Sequence, residues 1–172
     1  DDCGICSEGA SEHVANSDMD CAGTCFGSAY EDNCGVCDDN EFNDCLTLSI
    51  DLSVGANLIS FYVLPENNSV ENVLSTLGDN VVALSGEGEA ALNTEIGWVG
   101  SLTTVLYENG YWLLVNEVAT LDLTGIPIQP DQIYALHAGN NLISYPLSDC
   151  GSIDEVLPDE VTDCIFAIAG EG

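Results

Sequence analysis

Lysine and arginine are absent from all 172 residues of this chain, whereas aspartate and glutamate together number 30, giving a formal net charge of −30. A typical soluble chain is about 25 % charged, with both signs mixed. Because basic side chains neutralise phosphate groups, their absence argues against nucleic acid as a partner and against an anionic membrane surface. Any buried carboxylate must rely on hydrogen bonds, protonation or a metal ion.

Long hydrophobic runs are also missing, since none approaches 18 residues, and membrane insertion is therefore not expected. Apolar residues nevertheless make up 46 % of the chain, which is enough for a folded core. We expect the charge to form a dense anionic surface that is best tolerated in a saline, calcium-containing medium, where it is screened.

Catalytic motifs are missing as well. The two histidines, His13 and His137, lie in sequence contexts typical of surface or structural residues. No GxSxG elbow, HExxH motif or lysine-containing phosphate loop occurs. The sequence therefore predicts a non-catalytic protein.

Cysteine, by contrast, is abundant, with nine residues in total. This density in an acidic, glycine-rich segment predicts disulfides formed in an oxidising compartment, and hence an extracellular or cell-surface location. Seven of the cysteines lie in the first 45 residues: Cys3, Cys6, Cys21, Cys25, Cys34, Cys37 and Cys45. The other two are Cys150 and Cys164.

Residues 1–46 contain an internal repeat, in which Asp2–Cys6 matches Asn33–Cys37 and Met19–Cys21 matches Asn43–Cys45. The disulfide pairing that this repeat suggests, given at the end of this paragraph, leaves Cys3 without a partner. We therefore expect Cys3 to bond to another segment or chain. The rival interpretation is a zinc site built from the two CxxC pairs, Cys3/Cys6 and Cys34/Cys37. The pairing that the repeat suggests is Cys6–Cys21, Cys25–Cys34, Cys37–Cys45 and, near the other end, Cys150–Cys164.

The same acidic loops carry side-chain oxygens at close spacing, which is the ligand type that calcium prefers. Neither run completes an EF-hand, and a solvated acidic loop is the alternative. The sequence predicts a structural calcium site among Asn16, Asp18, Asp20, Asp38, Asp39, Asn40 and Asp44.

From residue 47 to 137 the chain alternates apolar and polar residues with turn signals between them, which predicts a mostly β, sandwich-like module. One short helix is predicted at Ser69–Leu77, with Ser69 as its N-cap. The predicted strands are Leu46–Leu52, Asn57–Tyr62, Val81–Ser85, Leu102–Tyr107, Tyr111–Val115, Ala119–Leu123, Gln132–Leu136, Asn141–Tyr145 and Cys164–Ala169.

The sequence predicts that residues 138–172 are a truncated second copy of this module. Gly55–Phe61 resembles Gly139–Tyr145, and two further matches follow in the same order at an offset of 83 or 84 residues. Half of a β-module exposes an unpaired strand edge, so we expect either a longer protein or completion by a neighbouring subunit through strand addition.

Four aromatic residues, Trp98, Tyr107, Tyr111 and Trp112, cluster in one stretch. A sugar-binding surface would use them for stacking. We favour the interpretation that Trp112 and the residues that alternate with it along the strand fill the core. Asn67 begins an N-glycosylation sequon.

The run Asp20–Cys37 followed by Asn43–Cys45 resembles a cysteine repeat of large secreted bacterial proteins from Bacteroidota-like lineages, which are associated with type IX secretion. The later motifs Asn57–Ser60, Gly97–Leu102 and Gly110–Leu113 resemble a β-module found downstream of such repeats. The resemblance implies a multidomain cell-surface protein. We expect a subunit or repeat of a surface fibre or adhesin that self-associates into a homopolymer; the alternative is a carbohydrate-binding surface domain.

Overall fold

The computed structural model describes residues 1–129, 131–146, 151, 152, 157, 161 and 164–170. It confirms a mostly β chain in which a disulfide-bonded segment precedes antiparallel sheets and a short helix. No helix among the described residues is long and apolar enough to cross a membrane.

The disulfide-bonded segment has little regular structure. Its elements are a 3₁₀ turn at Gly9–Ser11 and two short strands, β1 (Tyr30–Glu31) and β2 (Cys37–Asp38), which pair antiparallel. None of the residues of these elements is buried. Since such a segment buries so little apolar surface, its conformation depends on cross-links and local hydrogen bonds.

The module that follows consists of two antiparallel sheets. A three-stranded sheet has the order β3-β10-β5, and a five-stranded sheet has the order β4-β9-β6-β7-β8. The strands are β3 (Leu46–Leu52), β4 (Gly55–Ser60), β5 (Val63–Leu64), β6 (Val81–Ser85), β7 (Ala90–Thr94), β8 (Gly97–Gly100), β9 (Gly110–Val115) and β10 (Ala119–Pro127).

Both sheets contribute to one hydrophobic core. Leu48 and Leu121 enter it from the three-stranded sheet, whereas Leu84 and Leu113 enter it from the five-stranded sheet. At its centre Phe61 and Tyr111 have their ring centroids 6.0 Å apart. This arrangement confirms the sandwich-like architecture, because alternate residues of each strand point to the shared interior.

The short helix α1 (Val70–Val73) closes one side of the core. Ser69 caps it, since the Asn72 amide donates to the Ser69 hydroxyl at 3.3 Å. A 3₁₀ helix at Ser75–Asn80 continues the chain, so the predicted helical segment is present but only its first turn is α-helical. The predicted apolar face is buried and consists of Val70, Val73, Leu74 and Leu77.

Four predicted strands are wrong, and the fourth, Asn141–Tyr145, is described below. Leu102–Tyr107 pairs with the loop before α1 instead of joining a sheet, because the Val70 amide donates to the Thr103 carbonyl and the Val105 amide to the Asn68 carbonyl. Gln132–Leu136 and the described residues of 164–170 have no strand. Conversely, β7 and β8 were not predicted, since alanine, asparagine and glycine favour strands weakly.

The start of the predicted second copy contacts the end of the first module. In place of the predicted strand Asn141–Tyr145 there is one isolated bridge, between Ile143 and Asn109. The Gly110 amide donates to the Leu142 carbonyl at 3.0 Å, and the Ser144 amide donates to the Glu108 carbonyl at 3.1 Å. Within the second-copy match to the helical segment, residues 153–156 lie outside the described residues.

Candidate functional site

The disulfides differ from the predicted pairing. The bonds are Cys3–Cys25, Cys21–Cys37 and Cys34–Cys45, with Cα–Cα distances of 5.3, 5.9 and 5.5 Å. The predicted bonds Cys6–Cys21, Cys25–Cys34 and Cys37–Cys45 are therefore wrong. Cys3 is paired, and the exposed free thiol of this segment is Cys6.

The predicted Cys150–Cys164 bond is wrong, because Cys164 is not in a disulfide; Cys150 lies outside the described residues. Cys164 itself is exposed and carries a free thiol. The zinc alternative is wrong for the N-terminal segment. Three of its four proposed ligands, Cys3, Cys34 and Cys37, have their sulfur atoms in disulfides and are unavailable as thiolates.

The true pairing follows from a turn that occurs three times, at residues 1–6, 20–25 and 32–37, here called the Asp turns. Each begins with an aspartate whose Oδ1 accepts the amide of the fifth residue: Ile5 donates to Asp1 at 2.8 Å, Thr24 to Asp20 at 2.7 Å and Val36 to Asp32 at 2.8 Å.

A glycine fixes the fourth position of each Asp turn. Gly4, Gly23 and Gly35 have φ values of 76°, 79° and 77°, in the left-handed region that glycine adopts without steric cost. The amide of each glycine donates to the carbonyl of the aspartate that begins the turn, at 3.0 to 3.1 Å. The aspartate side chain thus satisfies main-chain groups that no β ladder reaches.

The disulfides link consecutive Asp turns. The last cysteine of the second turn, Cys25, bonds to Cys3 in the first, and the last cysteine of the third turn, Cys37, bonds to Cys21 in the second. Cys34 of the third turn bonds onward to Cys45 at the start of the β-module. The predicted pairing joined the same turns in the same order, but it used the other cysteine of each turn.

Asp32 shows what these turns do electrostatically. Its carboxylate accepts amides from Val36 and Cys34 on Oδ1 and from Cys45 on Oδ2. These main-chain hydrogen bonds, that from Val36 foremost, lower the pKa of Asp32. The charged form is therefore favoured in the folded state, and its contribution to stability is lost as the pH falls through that lowered pKa.

The predicted calcium ligands are mostly engaged in the same way. Asp20 accepts the amides of Thr24 and Ala29, and Asp38 accepts the Asn40 amide and the Asn43 side-chain amide. These hydrogen bonds hold the loops without requiring a cation. Asn16 accepts the Asp2 amide, Asn40 the Phe42 amide and Asp39 the Ser28 hydroxyl.

Asp44, the last predicted calcium ligand, accepts the hydroxyl of Tyr30. This hydrogen bond, together with the negative charge of Asp44, raises the pKa of Tyr30 to about 12. The contact joins β1 to the residue before Cys45, and it gives Asp44 a structural role beside the last disulfide.

One group in the described part of the chain brings three metal-ligating side chains together: Asp1, His13 and Asp18. His13 Nε2 lies 3.0 Å from Asp18 Oδ2, and His13 Nδ1 lies 4.0 Å from Asp1 Oδ2. Calcium needs six to eight oxygen ligands, and this group offers two carboxylates and a nitrogen. The group therefore fits a calcium ion poorly, and calcium binding stays a prediction.

His137 is structural rather than part of a site. Its Nε2 lies 2.6 Å from Glu87 Oε1, and the Leu142 amide donates to Glu87 Oε2 at 3.1 Å. The Ala138 carbonyl and Glu87 raise the pKa of His137, while the Leu142 amide and His137 lower the pKa of Glu87. The pair fastens residues 137–142 to the turn between β6 and β7.

The four aromatic residues do not share one surface. Tyr111 is fully buried, and Trp98 and Tyr107 pack partly buried against the core. Trp112 is 43 % exposed on the opposite side of β9. The prediction that Trp112 fills the core is therefore wrong by one residue, because Tyr111 fills the core and Trp112 faces outward. Asn67 of the sequon is exposed beside α1, and its glycosylation stays a prediction.

Comparison with known proteins identifies no relative: no family model, no curated protein and no solved structure matches this chain.

Proposed function

We propose that this chain is a non-catalytic structural segment of an extracellular surface fibre or adhesin, in which Asp turns and β-modules are linked in series. The observation that carries the proposal is the stepwise disulfide pattern, in which each bond joins one Asp turn to the next or to the β-module. Such a pattern transmits tension along the chain through covalent bonds and suits a spacer between folded modules.

The energetics of the N-terminal segment agree with this role. Its three disulfides close short loops, with sequence separations of 22, 16 and 11 residues. Each loop of this size is worth about 3 kcal/mol in the chain-entropy model. Because the segment has almost no apolar core, these cross-links and the aspartate-capped turns supply its order in place of packing.

Cys6 is the position where the pattern would continue. It is the last cysteine of the first Asp turn, and the equivalent residues Cys25 and Cys37 both bond to a preceding turn. We infer that Cys6 bonds to a cysteine of another Asp turn, in the same polypeptide or in a second chain. The bond forms when a low-molecular-weight disulfide oxidises the two thiols and is itself reduced to two thiols.

The contact of residues 141–145 with the first module supports serial linkage of β-modules. The Gly110 amide donates to Leu142, the Ser144 amide to Glu108, and the Tyr145 amide to the Ser60 hydroxyl at 3.1 Å. Residues 141–145, where the predicted second copy begins, thus lie against the first module. Completion of the second copy by a neighbouring chain would extend the series by half-module complementation.

Electron microscopy of the native material tests the proposal. We expect filaments or regular strings of modules, and we expect Cys6→Ser to shorten them. Cys164→Ser is the matched control, because it removes another exposed free thiol outside the Asp turns. Uniform monomeric particles for the unaltered protein would contradict the proposal. A disulfide between Cys6 of two copies, or between Cys6 and another segment, is distinguished by mass spectrometry of unreduced peptides.

Carbohydrate binding is the alternative function, and it has one favourable observation: Trp112 is partly exposed on the outward side of the five-stranded sheet. A sugar stacked on this indole would change tryptophan fluorescence upon titration with glycans. The other three aromatic residues cannot add to the same platform, since Tyr111 is buried and Trp98 and Tyr107 pack on the core.

A further inference from the structure

The outward side of the five-stranded sheet carries a continuous row of apolar side chains. Strand register places Ala56 opposite Leu114, Leu114 opposite Ala83, Ala83 opposite Leu92 and Leu92 opposite Val99, so the row crosses all five strands. Trp112 projects beside it from β9. We call these residues the acid-free face: Ala56, Ala83, Leu92, Val99, Trp112 and Leu114.

No Asp or Glu occupies an outward position in the paired registers of this sheet. The exposed fractions of Leu92, Val99, Trp112 and Leu114 are nevertheless 52, 50, 43 and 38 %. Glu89 borders this row beside Leu92 and Val99, but the outward strand positions themselves carry no carboxylate. In a chain with a charge of −30, such an apolar row is an exception that marks a contact surface.

The strand sequences point the same way. Tyr111, Leu113 and Val115 of β9 are buried in the core, while Trp112 and Leu114 between them are also apolar. Strands that are apolar on both sides are typical of sheets covered on both faces. The core covers one face of this sheet, and the side chains named above on its other face stay exposed among the described residues.

We propose that the acid-free face docks against the same face of a second copy of this chain. The charge of the chain is the reason to expect a second copy at this face. Two copies with charges of −30 and no cation repel each other wherever carboxylates meet, and this face avoids that repulsion. A cationic partner, by contrast, would gain most on the carboxylate-bearing surfaces and nothing here.

The position of the face fits such a contact. It adjoins Ser60 on β4, whose hydroxyl accepts the Tyr145 amide of the following repeat, so the contact between repeats continues into it. Two sheets packed face to face lie about 10 Å apart, which suits interdigitated leucine, valine and tryptophan side chains. A two-fold axis brings the same row of each copy together, which closes the pair.

Sedimentation velocity of the full chain tests this contact independently of Cys6, once the exposed thiols have been alkylated under native conditions. We expect reversible dimers whose affinity rises with NaCl concentration, because salt screens the repulsion between the copies. Leu92→Glu should weaken the dimer roughly tenfold or more, since it places a carboxylate in the apolar contact.

Val118→Glu is the matched control, because Val118 is 76 % exposed in the loop between β9 and β10 and is not one of the residues of this face. It should leave the dimer unchanged, and circular dichroism checks that both variants fold. If Leu92→Glu does not fold, tryptophan fluorescence of the unaltered protein replaces this variant as the test. We expect a blue shift of the emission with rising protein concentration, and Trp112→Phe should remove that shift.

At about 0.5 M NaCl the repulsion between the copies is largely screened. A protein that stays monomeric at every concentration under this condition would overturn the proposal. Equal weakening by Leu92→Glu and Val118→Glu would do the same. A saturable fluorescence response to glycans without any dimer would assign the face to sugar binding and would also overturn it.

Discussion

The two sheets of the β-module share one core but have opposite outer faces. On the three-stranded sheet the outward pairs are polar: Ser49 donates to Asp122 at 2.6 Å, and Thr120 donates to Asp51 at 2.9 Å. On the five-stranded sheet the equivalent positions carry Leu92, Val99 and their apolar neighbours.

The difference shows how a chain without cations divides its surface. Hydroxyl groups replace lysine and arginine as partners for carboxylates on the three-stranded sheet, and aspartates cap amides in the Asp turns. Every such solution keeps negative charge at the surface. The outward strand positions of the five-stranded sheet differ, because they carry no acid at all.

The largest effect is expected inside the core, where β9 offers a direct comparison. Tyr111→Ala removes a fully buried ring and the hydroxyl that accepts the Leu106 amide at 2.8 Å. We expect a loss of about 3–5 kcal/mol in the free energy of unfolding, measured by urea denaturation. The neighbouring variant Trp112→Ala should cost about 1 kcal/mol or less in the monomer. Equal losses would mean that the two sides of β9 do not differ.

A second prediction concerns a variant in which the outer face of the three-stranded sheet is made more like that of the five-stranded sheet. Asp51→Leu combined with Asp122→Leu gives the three-stranded sheet an apolar outer face, and we expect self-association to become about tenfold stronger. The control removes two exposed carboxylates elsewhere, Glu117→Leu and Asp131→Leu. Light scattering at matched concentration measures both, and an equal increase would attribute association to lower charge rather than to the face.

The smallest effect concerns the junction between residues 137–142 and the turn between β6 and β7. Because the pKa of His137 is raised, its contribution is present below its ordinary value of 6.5 and is lost as the pH rises through the folded value. The pKa of Glu87 is lowered, so its contribution is present above 4.5 and is lost as the pH falls through the folded value.

The junction should consequently be tightest between those two ordinary values. Hydrogen exchange of the Leu142 amide should be slower at pH 5.5, about midway between them, than at pH 8 after correction for intrinsic rates. Glu87→Gln should remove the difference, whereas Glu117→Gln should keep it. Persistence of the difference in Glu87→Gln would exclude this pair as its cause.

Much of the β-module could be predicted from its sequence. Period-two alternation identified β3, and the capping serine identified the start of α1. The same alternation could not decide which of Tyr111 and Trp112 faces inward, because both sides of β9 are apolar and a shift of one residue exchanges them. Strands β7 and β8 were not predicted, because their residues favour turns as readily as strands.

The disulfide pairing could not be predicted, for a different reason. The Asp turns share their aspartate, glycine and last cysteine, but the other cysteine lies one residue after Asp20 and two residues after Asp1 or Asp32. This shift hides the second turn in a search for matched CxxC pairs. The common hydrogen bonds to the aspartate, seen in the structure, reveal it.

Hydroxyl-radical footprinting of Trp112 is the measurement that tests the difference between the two faces most directly. Oxidation is compared between dilute protein and assembled native material, with Val118 as the internal reference that stays exposed in both. The account predicts that Trp112 becomes protected upon assembly while Val118 does not. Unchanged oxidation of Trp112 in assembled material would contradict it, because the acid-free face would then be open to solvent where copies meet.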